Sequence, residues 1–175
     1  MITIALAGFG LVGKSFYELV KNNVDVKYVI VKNIEDKNKN MGINFTNNFD
    51  DVINDKSVNV IVECISDPDK AFDLVSSCLY YGKDVVTCNK ILIKTKINQL
   101  SALADKSGAT IYLSSIPSGS KPKEFIFPMT HNNFQSQMHK MPFIFRGGGA
   151  HETSHLMRKD LMDIIESKEL NLNTD

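Results

Sequence analysis

Cysteine is scarce, at three residues in 175, and the count is odd. Cys64, Cys78 and Cys88 lack the spacing of a metal cage, and each sits in an apolar segment. A disulfide framework is therefore excluded, and buried reduced thiols in a cytoplasmic protein are expected. Charge imbalance is missing too. Lys+Arg and Asp+Glu number 20 each, so no global field draws the chain to nucleic acid or an anionic membrane. No apolar run approaches the roughly 20 residues that span a bilayer. The opening MITIALAGFG lacks a basic segment and runs straight into glycines, unlike a secretory signal. No internal repeat stands out. The expectation is one domain over residues 1–175, long enough to bury a real core.

What the chain does have is an alternation of apolar runs and helical periodicity. ITIALAG (2–8), VKYVIVK (26–32), SVNVIVEC (57–64), DVVTC (84–88) and ATIYLSS (109–115) read as strands. Between them, 11–22 carries Val12, Phe16, Leu19 and Val20 on one helical face, and a short helix fits around 49–55. A further helix starts from Asp67 and Pro68 and stops at Gly82, and 91–108 is mostly helix. The polar stretch 33–48 reads as a loop. Residues 117–142 read as irregular, with one short strand at 125–127; FIF (143–145) and a helix over 155–170 follow. Leu156, Leu161, Ile164 and Ile165 mark the apolar face of that last helix. Strand–helix alternation of this kind implies a doubly wound parallel sheet, three layers in α/β/α order.

GFGLVG, with Gly8, Gly10 and Gly13, joins the first strand to the first helix in G-x-G-x-x-G spacing. The first glycine suits a tight turn, the second a close backbone approach to pyrophosphate, the third close helix–strand packing. The helix N-terminus then offers N–H groups to phosphate. Gly8, Phe9, Gly10, Leu11, Val12 and Gly13 are accordingly the candidate cofactor-binding loop of a Rossmann-like NAD(P)-binding fold. About 20 residues on, an NAD enzyme usually places an acidic residue against the ribose. Here Lys32 and Asn33 stand at that point, with Glu35 and Asp36 just beyond. A cation at the strand end suits a 2′-phosphate and favours NADP over NAD, whereas a solvated strand-end lysine is the plain alternative.

GKDVVTCNK (82–90) resembles the GKHVVTANK signature of homoserine dehydrogenases, with Cys88 in the usual alanine position. GFGLVG, IVECISDPDKA (61–71) and FRGGGAHETSHLMRKDLMDI (145–164) resemble that family's segments in the same order. In the last, Gly147, Gly149, Ala150, Thr153, Asp160 and Leu161 fall in register. The resemblance covers 1–122 and 143–165 and implies a nucleotide-binding domain with a core over 1–122 and 143–170. Residues 123–142 then form a short bridge where the family carries its substrate-binding and dimerising domain. It implies that Gly10, Leu11 and Val12 face the pyrophosphate and Ser66 the nicotinamide ribose. By the same resemblance, Lys90 would touch cofactor and substrate, and Gly149 would approach the nicotinamide through its backbone. Lys90 is thus the candidate catalytic residue, polarising a carbonyl, with a surface lysine after a strand as the alternative. The family's acid–base lysine and substrate-binding carboxylates have no counterpart. Leu113 stands where the family has a glutamate ligand of a structural sodium, so metal binding of that kind is not expected.

HETSH (151–155) matches H-E-x-x-H, the helix pattern of zinc peptidases. Zinc needs a third ligand, and His131 and His139 lie far upstream in the irregular stretch. A helix-start imidazole is the better reading, and no metal ligands are assigned. Three functions remain: an NAD(P)-dependent oxidoreductase of homoserine dehydrogenase type in shortened form, a non-catalytic NAD(P)-binding protein, and, least favoured, a zinc peptidase. A small-molecule substrate is expected, with a homodimer if IFPM (126–129) and MPFIFR (141–146) pair edge to edge.

Overall fold

A computed structural model describes residues 2–35, 42–114 and 149–172, with side chains described up to residue 168. The bridge over 123–142, the strand at 125–127, FIF (143–145), Asp36, Gly147, His131 and His139 lie outside the described residues, as do both pairing segments proposed for a dimer.

Among the described residues, six parallel strands form one sheet in the order β3-β2-β1-β4-β5-β6. They are β1 (Thr3–Ala7), β2 (Asp25–Ile30), β3 (Phe45–Thr46), β4 (Val58–Glu63), β5 (Asp84–Thr87) and β6 (Ile111–Leu113). The helices are α1 (Leu11–Val20), α2 (Asp50–Ile53), α3 (Pro68–Tyr80), α4 (Lys90–Ser107) and α5 (Ala150–Leu172). This is the doubly wound α/β arrangement the alternation implied. The strand order reverses at β1, whose neighbours are β2 and β4, and that reversal opens a crevice at the carboxyl ends of the strands.

Alternation along each strand divides the core into two layers. Ile4 and Leu6 of β1 join Val60, Val62, Val86, Phe16 and Val20 on the side covered by α1 and α5. Ala5 and Ala7 point the other way, towards Ile61, Leu74, Leu79, Leu92 and Leu100 under α3 and α4. Short alanine side chains on that face let its helices sit close to the central strand. At α3, Asp67 caps the first turn by accepting from the Asp69 and Lys70 N–H groups, with Pro68 at the first helical position, as expected.

Two elements differ from the sequence reading. β3 lies inside the expected loop 33–48: Phe45 and Thr46 pair with Val29 and Ile30. Two residues are too few for any periodicity to show. Phe45 earns its place through an edge-to-face contact with Phe9, ring centroids 5.4 Å apart. The final helix begins at Ala150, five residues before the expected 155, because its first turn is set by capping rather than by apolar spacing.

Met157, Leu161 and Ile164 are the residues of α5 buried in the α1-side core, and Ile165 is partly buried beside them. Leu156 is not among them, so the face is rotated slightly from the one expected. Polar ties add register. Ser15 and Ser154 hydroxyls meet at 2.8 Å, Ser114 donates to Asp160, and Lys168 pairs with Asp84 at 2.7 Å. Leu161→Ala should therefore lower unfolding free energy by about 2–5 kcal/mol, and Leu156→Ala by less than about 1 kcal/mol. Urea denaturation of both variants checks the rotation of the helix.

Candidate functional site

The turn from β1 into α1 is dictated by contact distances. Gly8 has φ +96°, and a Cβ there would lie 2.6 Å from the Cys64 carbonyl oxygen. A Cβ at Gly13 would lie 2.0 Å from the Gly8 carbonyl oxygen, so only glycine fits. At Gly10 a Cβ would meet nothing within 4 Å. That glycine is unneeded for packing and leaves space above the backbone. Gly10 is also the N-cap of α1, and no side chain caps this helix. The first-turn N–H groups thus lack intrahelical partners and carry the positive end of the helix dipole.

Over this turn lies a groove of about 940 Å³, at the upper end of the range typical of ligand pockets. It is lined by the ends of three adjacent strands. Gly8 to Val12 follow β1, Ile30 to Lys32 close β2, and Cys64 to Asp67 follow β4, with Asn47, Phe49 and Lys70 completing the wall. Of the sequence candidates, Gly8, Phe9, Gly10, Leu11, Val12, Lys32 and Ser66 line the groove. Leu11 is 83% exposed, while Phe9 is 7% exposed and its ring packs on Tyr17 and Phe45. Gly13 lies beneath, buried.

Lys90 and Gly149 are placed elsewhere. Lys90 is the first residue of α4, just past the carboxyl end of β5, with Asn89 as the N-cap. Gly149 precedes α5, and its N–H donates to Glu152 Oε2 at 3.1 Å. Glu152 is thereby the reach-back half of a capping box, three residues into the helix. This bond accounts for the glutamate of HETSH. The two imidazoles lie one turn apart, tilted by 60°, with Nε2 atoms 3.2 Å from each other, both exposed. Among the described residues no group of three His, Cys, Asp or Glu side chains is arranged to hold a metal ion.

The most unusual group beside the groove is Glu63, which sequence reading passed over. Its side chain is fully buried at the end of β4. Oε1 accepts from the Ile65 N–H at 2.5 Å and Oε2 from the Thr87 hydroxyl at 2.5 Å. Burial pushes the carboxyl from its ordinary value of 4.5 up to about 7, against the pull of those two hydrogen bonds. The available sequence signal was an acidic residue inside the otherwise apolar run IVEC. Lys83, in the same signature as Lys90, is buried at the opposite edge of the sheet. It donates to the Asp55 and Val58 carbonyl oxygens at 2.7 and 2.9 Å, and burial lowers its pKa.

A parallel sheet reversing at β1, with a glycine turn and an uncapped helix facing a groove at the reversal, defines a dinucleotide-binding domain. Residues 8–114 match the family described as "Homoserine dehydrogenase, NAD binding domain", and the chain belongs to that family. It is 27% identical over 150 residues to the homoserine dehydrogenase of Lactococcus lactis, covering 77% of this chain and 34% of the relative. The Bacillus subtilis homoserine dehydrogenase is 28% identical over 135 residues, covering 69% of this chain and 31% of the relative. A solved homoserine dehydrogenase from Thiobacillus denitrificans superposes with TM-score 0.60 at 27% identity, covering 65% of this chain and 29% of that one. The chain thus spans about a third of the length of these relatives. No described helix is long and apolar enough to cross a membrane.

Two outcomes follow from this geometry. Gly13→Ala should lower unfolding free energy by roughly 3 kcal/mol or more, or prevent folding, while Gly10→Ala leaves thermal stability unchanged. For Glu63 the folded pKa is raised, so the folded state holds its proton up to higher pH than the unfolded chain. The contribution of Glu63 to stability should therefore be greatest below pH 4.5 and fall as pH rises towards 7, by about 3 kcal/mol in all. Glu63→Gln should flatten that part of the profile and melt higher than wild type at pH 8. Parallel slopes for the two proteins in a pH series of thermal melts would remove Glu63 as the cause.

Proposed function

We propose that the chain binds a nicotinamide dinucleotide in the β1/β4 crevice and acts as an oxidoreductase of homoserine dehydrogenase type on a small carbonyl compound. One observation carries the reading: the N-terminus of α1 opens without a side-chain cap onto a groove where Gly10 leaves room for a pyrophosphate. The backbone N–H groups of Leu11 and Val12 would hold the diphosphate, and Ser66 the nicotinamide ribose. When bound, the dinucleotide supplies the hydride-transfer chemistry.

Lys32 lines the groove beyond the end of β2 and is exposed, a suitable place for a cation against a 2′-phosphate. This supports NADP over NAD. Lys90, at the start of α4, is the candidate to polarise the carbonyl of the substrate and to stabilise the alkoxide that develops on it. Gly149 would face the nicotinamide through its backbone. In this reading residues 1–175 make one nucleotide-binding domain, with 123–142 bridging its two core parts.

A second reading has its own support. The match covers only about a third of each relative, and a dinucleotide-binding protein with a regulatory or scaffolding role, and no turnover, fits the same groove.

Fluorescence titration with NADPH and NADH tests the common part of both readings. Binding is expected, tighter for NADPH, and Lys32→Ala should weaken NADPH about tenfold while sparing NADH. Absence of binding by both nucleotides overturns both readings. With aspartate semialdehyde as substrate, Lys90→Ala should slow cofactor oxidation about 10²–10³-fold with nucleotide affinity retained. No oxidation by the wild-type protein, despite binding, selects the non-catalytic reading.

A further inference from the structure

We propose that the Glu63–Thr87–Asn89 network is a positioning device for the nicotinamide half of the bound dinucleotide, an inference that rests on the nucleotide-binding reading above. Two backbone turns leave adjacent strands at the carboxyl edge of the sheet. One, after β4, carries Cys64, Ile65 and Ser66 along the groove wall; the other, after β5, carries Cys88 and Asn89 into Lys90. The network grips both.

Glu63 Oε1 accepts from the N–H of Ile65, and the Asn89 side-chain Nδ2 donates to the Ile65 carbonyl oxygen at 2.9 Å. Ile65 is therefore held at both its amide and its carbonyl, immediately before Ser66. Glu63 Oε2 accepts from Thr87, whose oxygen in turn accepts from the Asn89 N–H at 3.0 Å. Asn89 Oδ1 accepts from the Leu92 N–H at 3.0 Å and so starts α4. A single buried carboxylate thus sets the spacing between the turn that bears Ser66 and the helix that begins with Lys90.

Its chemistry is unlike that of a packing residue. Among the described residues, burial and the two neutral donors Thr87 and Ile65 set its titration, with burial dominant. An apolar side chain would fill the same volume without the desolvation penalty that the carboxylate carries. What an apolar residue cannot do is hold two turns at once. The network's hydrogen bonds run to Ile65, Asn89 and Leu92, whereas Gly8 to Val12 and Lys32 line the groove from the ends of β1 and β2.

The test compares two ligands. NADPH would span the whole groove, whereas 2′-phosphoadenosine 5′-diphosphate keeps the adenosine, 2′-phosphate and diphosphate and lacks the whole nicotinamide riboside, including the ribose assigned to Ser66. Glu63→Met and Thr87→Val each remove the link while preserving bulk. Each should weaken NADPH about tenfold and leave 2′-phosphoadenosine 5′-diphosphate within about twofold of wild type. Thr87→Ser, which keeps the hydroxyl, should restore NADPH affinity. Glu63→Gln, which keeps an acceptor for Ile65, should recover most of it. Folding is checked by thermal melts, and the Ser and Gln variants preserve the polar contacts if either disruptive change fails to fold. Equal losses for both ligands in a folded variant, unchanged NADPH affinity in Thr87→Val, or no rescue by Thr87→Ser overturns the proposal. Failure of the wild-type protein to bind either ligand is a different result, which removes the nucleotide-binding reading itself.

Discussion

The contact on which the domain depends is the approach of Gly13 to the carbonyl of Gly8. With no room for even one carbon between them, α1 must start directly above the end of β1. That placement aims the first-turn N–H groups at the crevice and seats Phe16 and Val20 on the sheet. It also presents Ser15 to Ser154, so α5 takes its position from α1. The steric constraint at two glycines thereby fixes both a ligand-facing edge and a helix more than a hundred residues downstream.

The two ends of the sheet divide the work. At the amino edge, Lys83 spends its charge on backbone carbonyls and closes the structure. At the carboxyl edge, backbone donors at α1 stay open, and buried polar groups serve to hold turns rather than to seal the core. Glu63 belongs to this second group. A carboxyl kept fully buried is a thermodynamic burden. Its presence beside the groove is consistent with strain being tolerated where a site needs definite geometry.

Much of this was legible in the chain. Strands buried on both faces read as apolar runs, and glycine spacing specified the β1–α1 turn, because both effects act between neighbours in sequence. The order of four motifs likewise pointed to the family that the comparisons bear out. Three things were not legible, each for a physical reason. β3 is held by backbone pairing to β2 and by the contact of Phe45 with Phe9, which no periodicity records. The start of α5 depends on a carboxylate capping its own backbone, so the letters HETSH suggested metal chemistry when Glu152 was serving the helix. Glu63 and Thr87 stand 24 residues apart, and their bond appears only once β4 and β5 lie side by side.

Ser114, at the end of β6, is tied to Asp160, in the middle of α5. Among the described residues the domain is therefore closed by a link between its last strand and last helix, whatever chain runs from one to the other. The entropy of closing such an excursion grows only with the logarithm of its length, about 0.6 kcal/mol per doubling. A fold latched in this way can host a short connector or an entire additional module at the same point with little thermodynamic consequence. Relatives of which this chain covers only about a third can thus share the same architecture.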